Sequence, residues 1–128
     1  MTLSTKTEGV RPLAYILREV DDILCREIVT IKSGAGKLKA GTVLGQLTTG
    51  GKWLTSPNAV VTGSEGAEAA KGILAYPVDA TDSDVQAVIT RRLTAVKKPM
   101  LIFDASVNDA TKIATKWGQL EAHNIIAR

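Results

Sequence analysis

The sequence predicts a mainly β domain with short α elements (α+β), and three observations carry that prediction. Two runs rich in β-branched residues, 28–31 and 42–47, flank a segment with glycines at Gly34, Gly36 and Gly41. Val, Ile and Thr suit a pleated, half-buried surface, and glycine allows turns with φ > 0, so the stretch reads as strand, turn, strand. Further short apolar runs, broken by Pro, Gly and Asp, continue to Phe103, after which Ile113, Trp117 and Leu120 fall at i, i+4 and i+7 on one helical face.

Taken in order, residues 1–12 are polar except for Leu3 and Val10 and form a tail with little to bury. In LAYILREVDDIL, Leu13, Ile16, Leu17, Val20 and Leu24 recur at helical spacing, while the same residues also serve an extended strand. The period leaves two readings open: a short amphipathic helix capping the core, or an arm that orders on a partner. Residues 25–32 alternate as a half-buried strand. Gly50–Gly51, ahead of Trp53–Leu54, predicts a tight hairpin. A loop follows over 56–66, one helical turn over 67–71, a strand over 72–76 stopped by Pro77, and a polar turn at 79–82. The longest strand is predicted at 85–96, with Arg91 on its solvent face, and a last buried strand at 100–103. N-cap candidates at 106–109 open a C-terminal helix of roughly three turns, which Asn124 closes in a left-handed conformation before Ile125 and Ile126 return to the core.

The 128 residues suffice for one domain with a real core. Apolar residues make up 45% and charged residues 23%, and with two Trp, two Tyr and one Phe the core must be mostly aliphatic. The sixteen Lys and Arg exceed thirteen Asp and Glu by three, but they are scattered, which is not a nucleic-acid footprint. A single cysteine, Cys25, excludes an internal disulfide and suits a reducing compartment. No apolar run is long enough for a membrane helix, and the N-terminus has no hydrophobic signal core.

The residues also speak against catalysis and against cofactors or metals. The single His123 sits at the expected helix end, where it interacts with the helix dipole rather than serving a nucleophile. Cys25 reads as a small buried thiol. Asp79, Asp82 and Asp84 lack calcium-loop spacing, and SGAGKLKAG lacks a phosphate-loop pattern. Trp117 belongs to the core, whereas Trp53, just past the hairpin turn, is the better placed of the two to reach an interface.

SGAGKLKAGTVLGQLT, then AAKGILAYPVDATDSDVQAVITRR, then the closing AHNIIAR, in that order, resemble the head decoration proteins of lambda-like tailed phages. The resemblance covers residues 26–128. It implies a β-clip-like ribbon body with flanking short helices and a homotrimer that cements the outside of the expanded head against the pressure of packaged DNA. The major capsid protein is the partner, with no nucleic acid, membrane or small-molecule substrate involved, and the protein passes from host cytoplasm to virion. The chain divides into an N-terminal arm over 1–25 and a single domain over 26–128, and Leu13, Tyr15, Ile16 and Leu17 are the expected shell contacts. On this reading a chain lacking residues 1–20 still folds but no longer binds heads. Where family members carry a tryptophan–proline pair, this chain has Phe103–Asp104. A competing reading is a biotinyl- or lipoyl-like carrier domain, with Lys71 or Lys52 as the modified lysine, although neither has the flanking residues of that family.

Overall fold

A computed structural model describes residues 11–128, and the tail over 1–10 lies outside the described residues. In chain order the elements are β1 (Ile16–Glu19), a single helical turn α1 (Asp22–Cys25), β2 (Arg26–Ile31), β3 (Gly36–Leu38), β4 (Val43–Gln46), β5 (Trp53–Thr55), β6 (Ala70–Leu74), β7 (Val78–Ala80), β8 (Val85–Thr90), β9 (Thr94–Val96), a 3-10 turn (Lys98–Met100), α2 (Ala110–Glu121) and β10 (Ile125–Ala127). The chain is mainly β with one long C-terminal helix, as its sequence predicts.

Five strands close a small barrel in the order β2-β5-β4-β6-β8, with β8 pairing antiparallel along the whole of β2. A second sheet has the order β1-β9-β10, and β3 and β7 form a separate ribbon. Because neighbouring side chains on a strand point to opposite faces, the central strands feed two cores at once. Val43 and Ile73 join Tyr15, Val96, Leu101, Leu120 and Ile125 in a core between the barrel, the second sheet and α2. Leu44 and Leu74, the next residues along, fill the barrel with Ile31, Trp53, Ala87 and Ile89. Strands buried on both faces therefore read as unbroken apolar pairs in the sequence.

The helix forms as its pattern predicts. Asp109 caps it by accepting from the Lys112 backbone N–H, Leu120 is fully buried, and Asn124 closes it at φ 60°. Ile125 then enters the core on β10, which runs parallel to β9. The Gly50–Gly51 hairpin is also present, although its turn spans residues 48–51, closed by a Leu47 N–H bond to the Lys52 carbonyl.

The runs at 28–31 and 42–47 are strands as expected, with β5 lying between them and bonding to both. Four other local expectations are corrected by the tertiary pairing. The long strand at 85–96 breaks at Leu93, which takes φ 54°, so β8 stays in the barrel while β9 crosses to the second sheet. The helical turn at 67–71 is cut short because Ala70 and Lys71 already belong to β6. The strand at 100–103 is a 3-10 turn followed by one isolated bridge, Thr42 to Ile102.

Residues 13–24 form neither a capping helix nor a detached arm. They form a strand and one helical turn, because β9 offers a free edge to which β1 bonds antiparallel, with a bulge between Ile16 and Arg18. Tyr15 is fully buried, its backbone carbonyl accepts from the Lys97 N–H at 2.8 Å, and its hydroxyl bonds Thr90 Oγ1 at 2.6 Å. Removing residues 1–20 would thus remove a core side chain and an edge strand along with the tail.

Candidate functional site

Among the described residues eight large hydrophobic side chains are exposed, and five of them, Leu17, Val20, Ile23, Leu24 and Ile28, come from the segment 17–28. Ile23 is 85% exposed, and Val20 and Ile28 are each 71% exposed. Apolar side chains at that exposure gain nothing from folding, so their concentration in one short segment points to a contact with something else.

The backbone under these side chains is firmly held by polar groups. Asp21 Oδ1 accepts from the N–H groups of Ile23 at 2.8 Å and Leu24 at 3.1 Å, an N-cap that builds the one-turn α1. Arg92 reaches up from the turn after β8, its Nη1 donating to the Leu24 carbonyl at 2.7 Å and its Nη2 to Glu27 at 2.6 Å. Arg26 forms a two-pronged pair with Glu19, at 2.8 and 2.6 Å, and that hydrogen bonding holds its guanidinium pKa above the ordinary value. Beneath them the Cys25 thiol is buried and donates to the Leu93 carbonyl. Glu19, Asp21, Arg26 and Glu27 thus serve as scaffolding, and Val20, Ile23 and Leu24 face outward.

Beside this segment, β1 forms one edge of its sheet among the described residues. A shallow hollow lined by Arg18, Val20, Leu93, Ala95, Asn124 and Ile126 crosses the outer face of β1, β9 and β10. Of the residues expected as contacts, Leu17 is half exposed, Leu13 and Ile16 are half-buried, and Tyr15 lies wholly inside. Burial pushes the Tyr15 phenol well above its ordinary pKa. Trp53, expected to reach an interface, is 3% exposed and packs inside the barrel. The structure therefore keeps Leu17 at the surface and adds Val20, Ile23, Leu24 and Ile28. No local pattern marks these residues, because the spacing of Val20 and Leu24 also fits a core-facing stripe and their exposure follows only from how the core is filled.

Elsewhere the polar side chains are engaged in structure. Lys116 is 1% exposed, and its ammonium donates to Ser56 Oγ at 2.9 Å and to the carbonyls of Pro57 and Glu68 at 2.6 Å each. Burial lowers its pKa, opposed by the charges of Glu68 and Asp104. Its place on the helical stripe between Ile113 and Leu120 was the sequence signal for that burial. Lys52 pairs with Asp84 at 2.6 Å, and Lys71 lies on β6 rather than at a hairpin tip. His123, expected to interact with the helix dipole, instead meets Arg91 at 3.3 Å. Phe103 packs against the core and Asp104 accepts from Ser106, where relatives were expected to differ. No group of three or more His, Cys, Asp or Glu among the described residues could hold a metal.

A family model described as bacteriophage lambda head decoration protein D matches residues 5–125 of the chain. The chain belongs to this family. The match runs through the entire barrel, β1, β9 and α2, ends at the first residue of β10, and includes the segment 17–28. No curated protein matches the chain. As a head decoration protein it is a structural component of a phage virion and binds the capsid, and the family is not a known enzyme family.

Proposed function

We propose that this decoration protein cements the outer surface of the expanded head as a homotrimer, stabilising the shell against the pressure of packaged DNA. It docks through its N-terminal segment. The observation that carries this reading is the row of exposed apolar residues over 17–28, held outward on a polar scaffold. A scaffold of this kind limits the ordering entropy lost on docking, so burial of Leu17, Val20, Ile23, Leu24 and Ile28 against the major capsid protein is retained as affinity. The free edge of β1 can accept an added strand, and a trimer presents three such surfaces, so weak single contacts reinforce one another. Leu13 and Ile16 flank the contact, and Tyr15 acts from inside by fixing the strand. In this role the protein needs no catalysis, cofactor, nucleic acid, membrane or small-molecule substrate, and it waits in the host cytoplasm before joining the virion surface.

Sedimentation of the purified chain with undecorated expanded and unexpanded heads tests the reading. Co-sedimentation with expanded heads alone is expected. Binding to both forms equally would overturn the cementing role, and full binding by a Leu17→Ser, Ile23→Ser variant would overturn the docking surface.

A further inference from the structure

Arg91 lies far along the chain from the apolar segment and has unusual surroundings. Its guanidinium stacks 5.8 Å from the centroid of the Trp53 ring, and its backbone N–H donates to the Cys25 carbonyl at 2.8 Å. Both of its side-chain hydrogen bonds use Nη1, which donates to the Lys71 carbonyl at 3.4 Å and to His123 Nδ1 at 3.3 Å. A guanidinium carries five N–H donors and no acceptor. Among the described residues none accepts from Nε or Nη2, and no carboxylate pairs with Arg91, Lys71 or His123. The donors left over form the side-on edge of the fork, whose geometry matches the two oxygens of a carboxylate.

We propose that Arg91 and His123 form a carboxylate-binding site, with the Lys71 carbonyl anchoring Arg91 Nη1 and Trp53 as the floor that holds the Arg91 fork in place. The site joins β6, the turn after β8 and the chain leaving α2. Since a guanidinium can only donate, His123 Nδ1 accepts and the ring is neutral when it meets Arg91. Protonation of the ring removes that acceptor and places two cations side by side, and a carboxylate between them accepts from both. Burial lowers the His123 pKa, and the charges of Arg91 and Lys71 lower it further. Glu121 lies two residues earlier on α2. A bound anion raises the His123 pKa, so binding strengthens as pH falls through that pKa while the carboxylate stays ionised.

NMR titration of the full chain tests this, following the His123 ring and the Arg91 Nε–H. The probes are acetate, a blocked Asp-Glu peptide, phosphate and chloride at matched ionic strength. Acetate and the peptide are expected to raise the His123 pKa by about one unit relative to chloride. Saturation by the peptide at a tenfold lower concentration than acetate assigns the site to an acidic protein side chain, and equal saturation assigns it to small free acids. Arg91→Lys, which keeps the charge and loses the fork, is expected to weaken carboxylate binding about tenfold. His123→Asn is expected to hold carboxylate binding, followed at the Arg91 Nε–H, at the weaker level the parent shows above the His123 pKa, without its strengthening as pH falls. The proposal is overturned if neither carboxylate exceeds chloride, if phosphate alone shifts His123, or if Arg91→Lys binds as well as the parent chain.

Discussion

Two regions of this protein treat polarity in opposite ways. Around the loop over 56–69, a lysine ammonium is taken out of water and saturated by a hydroxyl and two carbonyls. The loop also lies so close to β4 that a Cβ on Gly45 would stand 2.0 Å from the Ala67 carbonyl oxygen. Over 17–28 the charges stay near the surface and the apolar side chains project into water. In the first region polar groups are buried to join loop to helix. In the second, apolar groups are exposed while polar ones fix their direction. The difference teaches that burial separates the residues that hold this fold from those available to a partner, and that it can do so within two positions of the chain.

Tyr15 and Leu17 put that lesson to its most severe test. Tyr15→Ala is expected to lower stability in urea unfolding by about 3 to 5 kcal/mol, the ordinary cost of deleting a buried aromatic ring. A loss below one kcal/mol would mean that β1 is a detachable arm after all. Lys116→Met comes next, with an expected loss of about 2 kcal/mol, because the Ser56, Pro57 and Glu68 oxygens lose their donor. Hydrogen exchange should then rise first in the loop over 56–69, and a uniform rise would break the assignment of Lys116 as its anchor.

A smaller effect sharpens the account of the Tyr15 hydroxyl. Tyr15→Phe keeps the packing and loses the bond to Thr90, for about 1 kcal/mol. It also changes the pH dependence. With its folded pKa above its unfolded value, Tyr15 ionises first in the unfolded chain, so its share of stability is present below about pH 10 and falls as pH rises further. Unfolding followed between pH 8 and 11 should show a shallower alkaline decline in Tyr15→Phe than in the parent. The smallest stability change belongs to Leu17→Ser, within about 0.5 kcal/mol, as for other exposed positions. Paired with a loss of head binding on sedimentation, it completes the contrast with Tyr15, and a large destabilisation would erase it.

The legible parts of the fold were those specified by local chemistry. Asp109, the apolar stripe of α2, Asn124 and the Gly50–Gly51 turn act through neighbours a few residues away, so their roles can be read directly from spacing. The same holds for the overall β character, since short β-branched runs between turn residues have few other ways to bury themselves. The N-terminal stretch was not legible in this way. Leu13, Ile16, Leu17, Val20 and Leu24 satisfy both periods, and only the free edge of β9 selects the strand.

The exposed site was half visible, with Leu17 readable as a contact and Val20, Ile23, Leu24 and Ile28 recognisable only once the core had been filled without them. Trp53 shows the converse, because its place after a turn says nothing about the barrel that closes over it. The sequence by itself determined the overall β character, where the helix begins and ends, and which motifs mark the decoration family. Tertiary structure alone decided the order β2-β5-β4-β6-β8, the break at Leu93, the burial of Tyr15, Trp53 and Lys116, and the outward face of 17–28. The reason is physical: backbone preference acts between near neighbours, whereas burial depends on which distant strand arrives to cover a side chain.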